Sequence, residues 1–168
     1  MADRKDVYSP LFTYHRNMCV GCSRHNPHGL KLSGMYLQDG WLCCPVNLTE
    51  HYSGFPGVVH GGIQATVLDE VMAWCIFSVL QKVGVTVDLQ VRYNKPLKTD
   101  TPYLARARVI KTIKPRLIEL YGEIAAADTV YSKARAHYYA LPHEKAKNLL
   151  GEDVDVSQFT VQLRDPTA

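Results

Sequence analysis

The sequence predicts an α+β fold: a sheet of about six antiparallel strands wrapped around one long central helix, dimerising through the sheet. Three observations predict it. Residues 62–81 run apolar almost all round a helix, with Ile63, Val67, Leu68, Val71, Met72, Trp74, Cys75, Ile76, Phe77 and Leu80 among them, the mark of a helix enclosed by other structure. Two strand-like runs precede this segment and four follow it, mostly with period-two alternation. One sheet cannot cover a helix that is apolar on every side, so a second subunit is expected to complete the burial.

The elements follow in order. Leu30 to Leu37 and Trp41 to Val46 are two apolar runs separated by the short hairpin signal "QDG". A loop containing "SGFPG" leads to the helix, expected over roughly Gly62 to Gln81 with Gly84 as the stop beyond it. "VTVDLQVRY" has period two, "KPLKTDTP" reads as a loop, and "YLARARVIKTI", "RLIELYGEIAAA" and "TVYSKARAHYYA" complete the run of four strands. This gives three segments: an N-terminal extension over 1–28, a core domain over 29–140, and an appendage over 141–168. In the appendage "PHEKAKNLL" suits a short helix, and the tail offers few apolar residues to bury.

The chain has 168 residues, 46% hydrophobic and 21% charged, an ordinary globular composition that excludes disordered and fibrous classes. The formal charge of +3 is too mild to indicate a nucleic-acid partner. It is unevenly spread. Eight of the 19 basic residues, but only one of the 16 acids, lie between Arg92 and Arg116. Such a block suits a phosphate-bearing ligand, or equally the water-facing side of strands. The N-terminus "MADRKDVYSP" lacks the apolar stretch of a signal peptide. Asp69 and Glu70 interrupt the one candidate membrane span, so neither a membrane nor nucleic acid is an expected partner. Reduced cysteines in the cytoplasm are the matching expectation.

Those two carboxylates carry the functional question, because a buried carboxylate is retained only when paired, hydrogen-bonded or used. The preceding "HGG" (His60, Gly61, Gly62) puts side-chain-free backbone where the helix starts, and N–H groups there can bind an oxyanion. Asp69 lies seven residues past Gly62, two turns along and on the same face. Glu70 is turned about 100° away, which makes it the poorer candidate base. A carboxylate and aimed N–H donors are the parts needed to hydrolyse an activated acyl group.

"HGGIQATVLDE" resembles the signature of the hotdog-fold acyl-CoA thioesterases, of the phenylacetate-pathway type within the 4-hydroxybenzoyl-CoA thioesterase superfamily. "GVTVDLQVRYNKPLKTDTP" resembles the strand and turn after the helix in that family, and "CVGCSRHNPHGL" an N-terminal motif of one branch. The resemblance runs from about Cys19 to Ala140. It implies that Asp69 is the catalytic carboxylate, activating water or attacking the thioester itself. It further implies the Gly61 N–H as oxyanion donor with Gly62 beside it, His60 as an orienting group, and Thr86, from the partner subunit, as a hydroxyl that places water. Acyl-CoA is then the substrate, no cofactor is expected, and the chain is a homodimer or homotetramer. Lys95, Lys114 and Arg116, at strand ends and loops, are the candidates for the CoA phosphates. Met72, Trp74 and Tyr93 are candidate determinants of the acyl group. The sequence departs from the family at Gly54, where some members carry Asn or Gln six residues before the His-Gly-Gly; His51 and Ser53 stand nearby.

Cys19-x-x-Cys22 and Cys43-Cys44 raise a zinc reading that would need a histidine, His15 or His25, to complete four ligands. Adjacent residues of a strand face opposite sides, so only one of the second pair could join, and buried structural thiols with no metal are the reading the residues favour. Two rivals to hydrolysis remain from the sequence. A hotdog hydratase or dehydratase would need a histidine placed for proton transfer, and a non-catalytic acyl-CoA sensor would have no reason to bury Asp69.

Overall fold

In the computed structural model, residues 3–12, 14–150 and 161–166 are described. The chain forms β1 (Lys5–Tyr8), β2 (Tyr36–Gln38), β3 (Trp41–Asn47), β4 (Ser53–Phe55), β5 (Val58–Val59), α1 (Gly61–Leu80), β6 (Gly84–Tyr93), β7 (Pro102–Lys114), β8 (Leu117–Ala126), β9 (Thr129–Ala140), α2 (His143–Leu150) and β10 (Gln162–Arg164). One eight-stranded sheet runs in the order β10-β1-β2-β3-β7-β8-β9-β6, with every pairing antiparallel. A small β4-β5 ribbon stands apart.

Helix α1 packs against β3, β7, β8, β9 and β6, five neighbouring strands. Strands lie about 4.8 Å apart and a helix with its side chains is about 10 Å across, so the sheet must curl round the helix to touch it with all five. The inner faces of the strands make this possible. β7 turns in Ala105 and Ala107, and β9 turns in Ala134, Ala136 and Ala140, all at most 2% exposed. These small side chains leave the space that Val67, Leu68, Met72 and Ile76 of α1 fill.

The predicted fold class holds, with differences at the margins. Six strands were expected and eight are paired, because β1 and β10 add to the edge beside β2. The run from Leu30 gives only three residues of strand, at Tyr36–Gln38. The hairpin after it turns on Asp39 and Gly40, both at positive φ, as the "QDG" signal requires. Helix α1 lies within one residue of the expected span at each end, but its left-handed cap is Gln81, at φ 52, and Gly84, expected as the stop, already opens β6. By length and composition α1 is apolar enough to cross a membrane, so Asp69 and Glu70 do not disqualify it as the sequence suggested. Here it is the core helix. The expected short helix is α2, and the tail contributes buried Val161 and strand β10.

The outer face accounts for Arg106, Arg108 and Lys111, three of the eight residues of the basic block. Arg106 bonds Glu123 at 2.6 Å, and Arg135 and Lys111 meet Glu119 at 2.7 and 3.3 Å. Arg106 and Arg108 also lie over the Trp41 ring, 4.5 and 4.6 Å from its centroid. These cations are engaged with the sheet's own surface.

Candidate active site

Asp69 faces the seam between β9 and β6. Thr86 Oγ1 donates to Asp69 Oδ1 at 2.7 Å. The Tyr138 hydroxyl lies 2.7 Å from the same Oδ1 and 2.8 Å from the Asp69 carbonyl oxygen. Thr86 and Tyr138 are directly opposed on β6 and β9, which is why both hydroxyls reach one oxygen. Asp69 Oδ2 accepts no hydrogen bond among the described residues, so its lone pairs remain for a water molecule. Thr86, expected as a water-placing hydroxyl from the partner subunit, here bonds Asp69 within its own chain.

A bulge creates this pairing. The β6–β9 register shifts between Thr86 and Asp88, so Val87 has no partner and is 58% exposed. Strict alternation would place Thr86 on the face opposite Leu89 and Val91. The extra residue flips the parity, and Thr86 joins them on the side of the helix. Tyr138, fully buried, is a member of the site that sequence reasoning missed. The available signal is that Tyr138 is the one large residue among the inward alanines of β9. Burial and the neighbouring Asp69 charge push its phenol far above the usual range, so it stays a donor.

At the start of α1, His60 is the N-cap, and its Nδ1 accepts the Gly62 N–H at 2.9 Å. That bond leaves the ring proton on Nε2 when the imidazole is neutral. Gly62, placed beside the Gly61 donor by the sequence, has its own N–H taken up by His60. The Gly61 N–H has no acceptor among the described residues, and Tyr93 holds the Gly61 carbonyl at 2.9 Å from its hydroxyl. Gly54 packs against the histidine. A Cβ there would come within 2.9 Å of the His60 ring and 3.2 Å of its Cα, so the amide carried by some relatives has no room here. Neither His51, in a short 3-10 turn, nor Ser53, in β4, is brought to Asp69.

The three candidate phosphate-binding cations do not converge within one chain. Lys95 follows Tyr93, and so lies at the N-terminal end of α1. Arg116 lines a pocket with Phe77 and Gln81 at the opposite end, with Lys114 two residues before it. Of the candidate acyl determinants, Met72 is fully enclosed in the core, Trp74 borders a pocket beside the N-terminal extension, and Tyr93 is half exposed over Gly61.

Glu70 faces a different environment. Its Oε1 accepts the Trp74 indole N–H at 2.8 Å, and Cys19 Sγ lies 3.2 Å from Oε2. Burial first, and the charge of Cys19 second, raise the Glu70 carboxyl to about 7. A thiol hydrogen bond from Cys22 lowers Cys19 to about 5, and Cys22 itself is pushed well up by that bond and by burial. No histidine joins this group among the described residues, against the zinc reading in which His15 or His25 completed it; the third member is Glu70. Cys43 and Cys44 are buried thiols of β3 outside the group.

With the geometry in hand, the comparisons with known proteins agree with the fold and the motif. Residues 56–131 match the model of the thioesterase superfamily, a span that includes His60, Gly61, Asp69 and Thr86. Acyl-coenzyme A thioesterase THEM4 of Mus musculus is 32% identical over 97 residues, which is 56% of this chain and 41% of the relative. This chain thus spans less than half of that protein. A thioesterase superfamily protein of known crystal structure is 28% identical with a TM-score of 0.61, covering 69% of this chain and 60% of that one. A hypothetical thioesterase protein from Streptococcus pneumoniae, solved with coenzyme A, has the same fold at 19% identity and a TM-score of 0.56, covering 61% of this chain and 82% of that one. The chain is similar to the hotdog thioesterases in motif and in fold, as its sequence indicated.

Proposed function

We propose that the chain hydrolyses the thioester of an acyl-CoA, with Asp69 as general base and the N–H of Gly61 as oxyanion donor. The observation that carries this reading is the Asp69 carboxylate, gripped at Oδ1 by Thr86 and Tyr138 while Oδ2 stays available. Two hydroxyls on one oxygen fix the orientation of the other. Asp69 takes a proton from water as the water oxygen bonds to the carbonyl carbon. Charge developing on the carbonyl oxygen is held by the N–H at the helix start. The C–S bond then breaks, and the CoA sulfur leaves and is protonated from solvent.

Asp69 and Gly61 of one chain cannot serve the same carbonyl. They are eight residues apart on α1, about 12 Å along the axis at roughly 1.5 Å per residue. The reading therefore requires a homodimer in which Asp69 of one subunit works with the helix start of the other. Strand β6 supports such a pairing: it is ten residues long, lies at the edge of the sheet, and exposes Val87 and Tyr93. Lys95, at the Gly61 end of the fold, is the cation we assign to the CoA phosphates; Lys114 and Arg116 of the same chain lie at the other end of α1. All five cysteines are unpaired thiols, which suits a reducing compartment such as the cytoplasm.

The test is thiol release from short, medium, long and aromatic acyl-CoAs by the wild type and by Asp69→Asn. Turnover that disappears in a folded, dimeric variant supports the reading and names the acyl class. Tight binding of an acyl-CoA without turnover by the wild type would instead make the chain a sensor.

A further inference from the structure

The N-terminal extension meets α1 around Trp74 and Glu70. Phe12 stacks on Trp74 with ring centroids 4.2 Å apart and planes 10° from parallel. Just beyond it, the Cys19–Cys22 turn closes over Glu70. The two Sγ atoms and a carboxylate oxygen lie within 4.8 Å of one another. These three groups are acids, and they share a largely apolar surround with Leu11, Trp74 and Phe77. Among the described residues, what meets the carboxylate is an indole N–H and the thiols rather than a basic side chain.

We propose that Cys19, Cys22 and Glu70 form a zinc site that pins the N-terminal extension to the central helix. Two thiolates and a carboxylate suit zinc and are poor company for magnesium or calcium. Tetrahedral zinc with bonds of about 2.3 Å to sulfur and about 2.0 Å to oxygen sets S and O about 3.5 Å apart. Cys19 Sγ and Glu70 Oε2 stand at 3.2 Å, a few tenths away. A fourth position faces a pocket of about 210 Å³, where water completes the set.

The surroundings of the three groups are those of metal ligands. Trp74 holds Glu70 Oε1 and so presents Oε2 to the thiols. The Gly21 N–H donates to Cys19 Sγ at 3.3 Å, and the Asn17 side-chain amide lies 3.9 Å from Cys22 Sγ. Hydrogen bonds of this kind orient ligands and hold thiolate charge. The glycine within the turn is required: a Cβ on Gly21 would overlap the Glu70 carboxylate. The CxxC turn is thus shaped to admit a carboxylate from a helix that lies 51 residues further along the chain. This answers the question raised by the second acid of the apolar helix. It also places the zinc apart from Asp69, which faces Thr86 and Tyr138.

The full chain, stripped with a chelator under reducing conditions, is titrated with Zn²⁺ against a chromophoric competitor and separately loaded with Co²⁺. The expected result is one zinc per chain and a thiolate-to-cobalt charge-transfer band. Cys19→Ser with Cys22→Ser loses both, while Cys43→Ser with Cys44→Ser keeps both. Glu70→Gln and Gly21→Ala, checked for folding by circular dichroism, bind zinc about tenfold or more weakly. Failure of the wild type to bind Zn²⁺ overturns the proposal. So does equal binding by the Cys19/Cys22 variant, or closure of those two thiols into a disulfide by mild oxidant while zinc is in excess.

Discussion

Asp69 and Glu70 are chain neighbours that share no hydrogen-bond partner. Asp69 meets Thr86 and Tyr138 from the sheet, and Glu70 meets Trp74 and Cys19 from the helix and the extension. Their roles should therefore separate by mutation. Asp69→Asn is expected to lower thioester turnover by on the order of a hundredfold to ten-thousandfold with zinc content unchanged. Glu70→Gln should do the reverse. Steady-state kinetics and metal analysis on the same two preparations check this.

Tyr138→Phe removes one of the two hydroxyls on Asp69 Oδ1 and keeps the ring that fills the core. A hydrogen bond to a charged group contributes about 1.5–3 kcal/mol, so kcat should fall by roughly tenfold to a hundredfold. On the proposed reading the tyrosine acts through Asp69, so KM should move little. A matching drop with Thr86→Val, less than additive in the double variant, would show the two acting on one carboxylate.

His60→Ala removes the acceptor for the Gly62 N–H. Loss of an N-cap costs about 1 kcal/mol, readable as a lower urea midpoint with an unchanged slope. Gly54→Asn should lose the cap as well, because its side chain needs the space of the His60 ring. If Gly54→Asn matches the wild type in stability and turnover, the close approach does not restrict that position.

Glu119 is buried on the outer face between Arg135 and Lys111, and the Arg135 hydrogen bond comes first among the causes that lower its pKa. A carboxyl depressed in the folded state stabilises the protein above its unfolded pKa and loses that contribution as pH falls through the folded value. Glu119→Gln should therefore reduce stability at neutral pH. It should also flatten the fall of stability below about pH 4 to 5, as followed by thermal melts across an acid series.

The sequence shows the helix and the strands β6 to β9 plainly, since each is long enough to display its period; β9 alone spans twelve residues. Asp69 and the helix start were legible because HGG and the carboxylate lie within two turns of each other. Strands β1 and β10, of four and three residues, are too short to carry a pattern. The bulge at Val87 is silent in composition, yet it decides that Thr86 faces the helix. The Cys19–Glu70 contact joins residues 51 apart, and no local signal points from one to the other. The separation of Lys114 and Arg116 from Lys95 within one chain was hidden for a related reason: a count of basic residues carries no information about which end of a helix about 30 Å long each one occupies.

The two edges of the sheet are unequal, and that sets how far the molecule can grow. On one side lies β6, ten residues long, paired to β9 and open on its outer edge among the described residues; on the other lies β10, three residues long and ending in Arg164. Short, charged edges resist the addition of further strands. When two copies meet along β6, the joined sheet has a blunt strand at each end and offers no long template to a third. In the proposed dimer, assembly through the sheet would be self-terminating, which guards a strand-rich protein against running on into fibres.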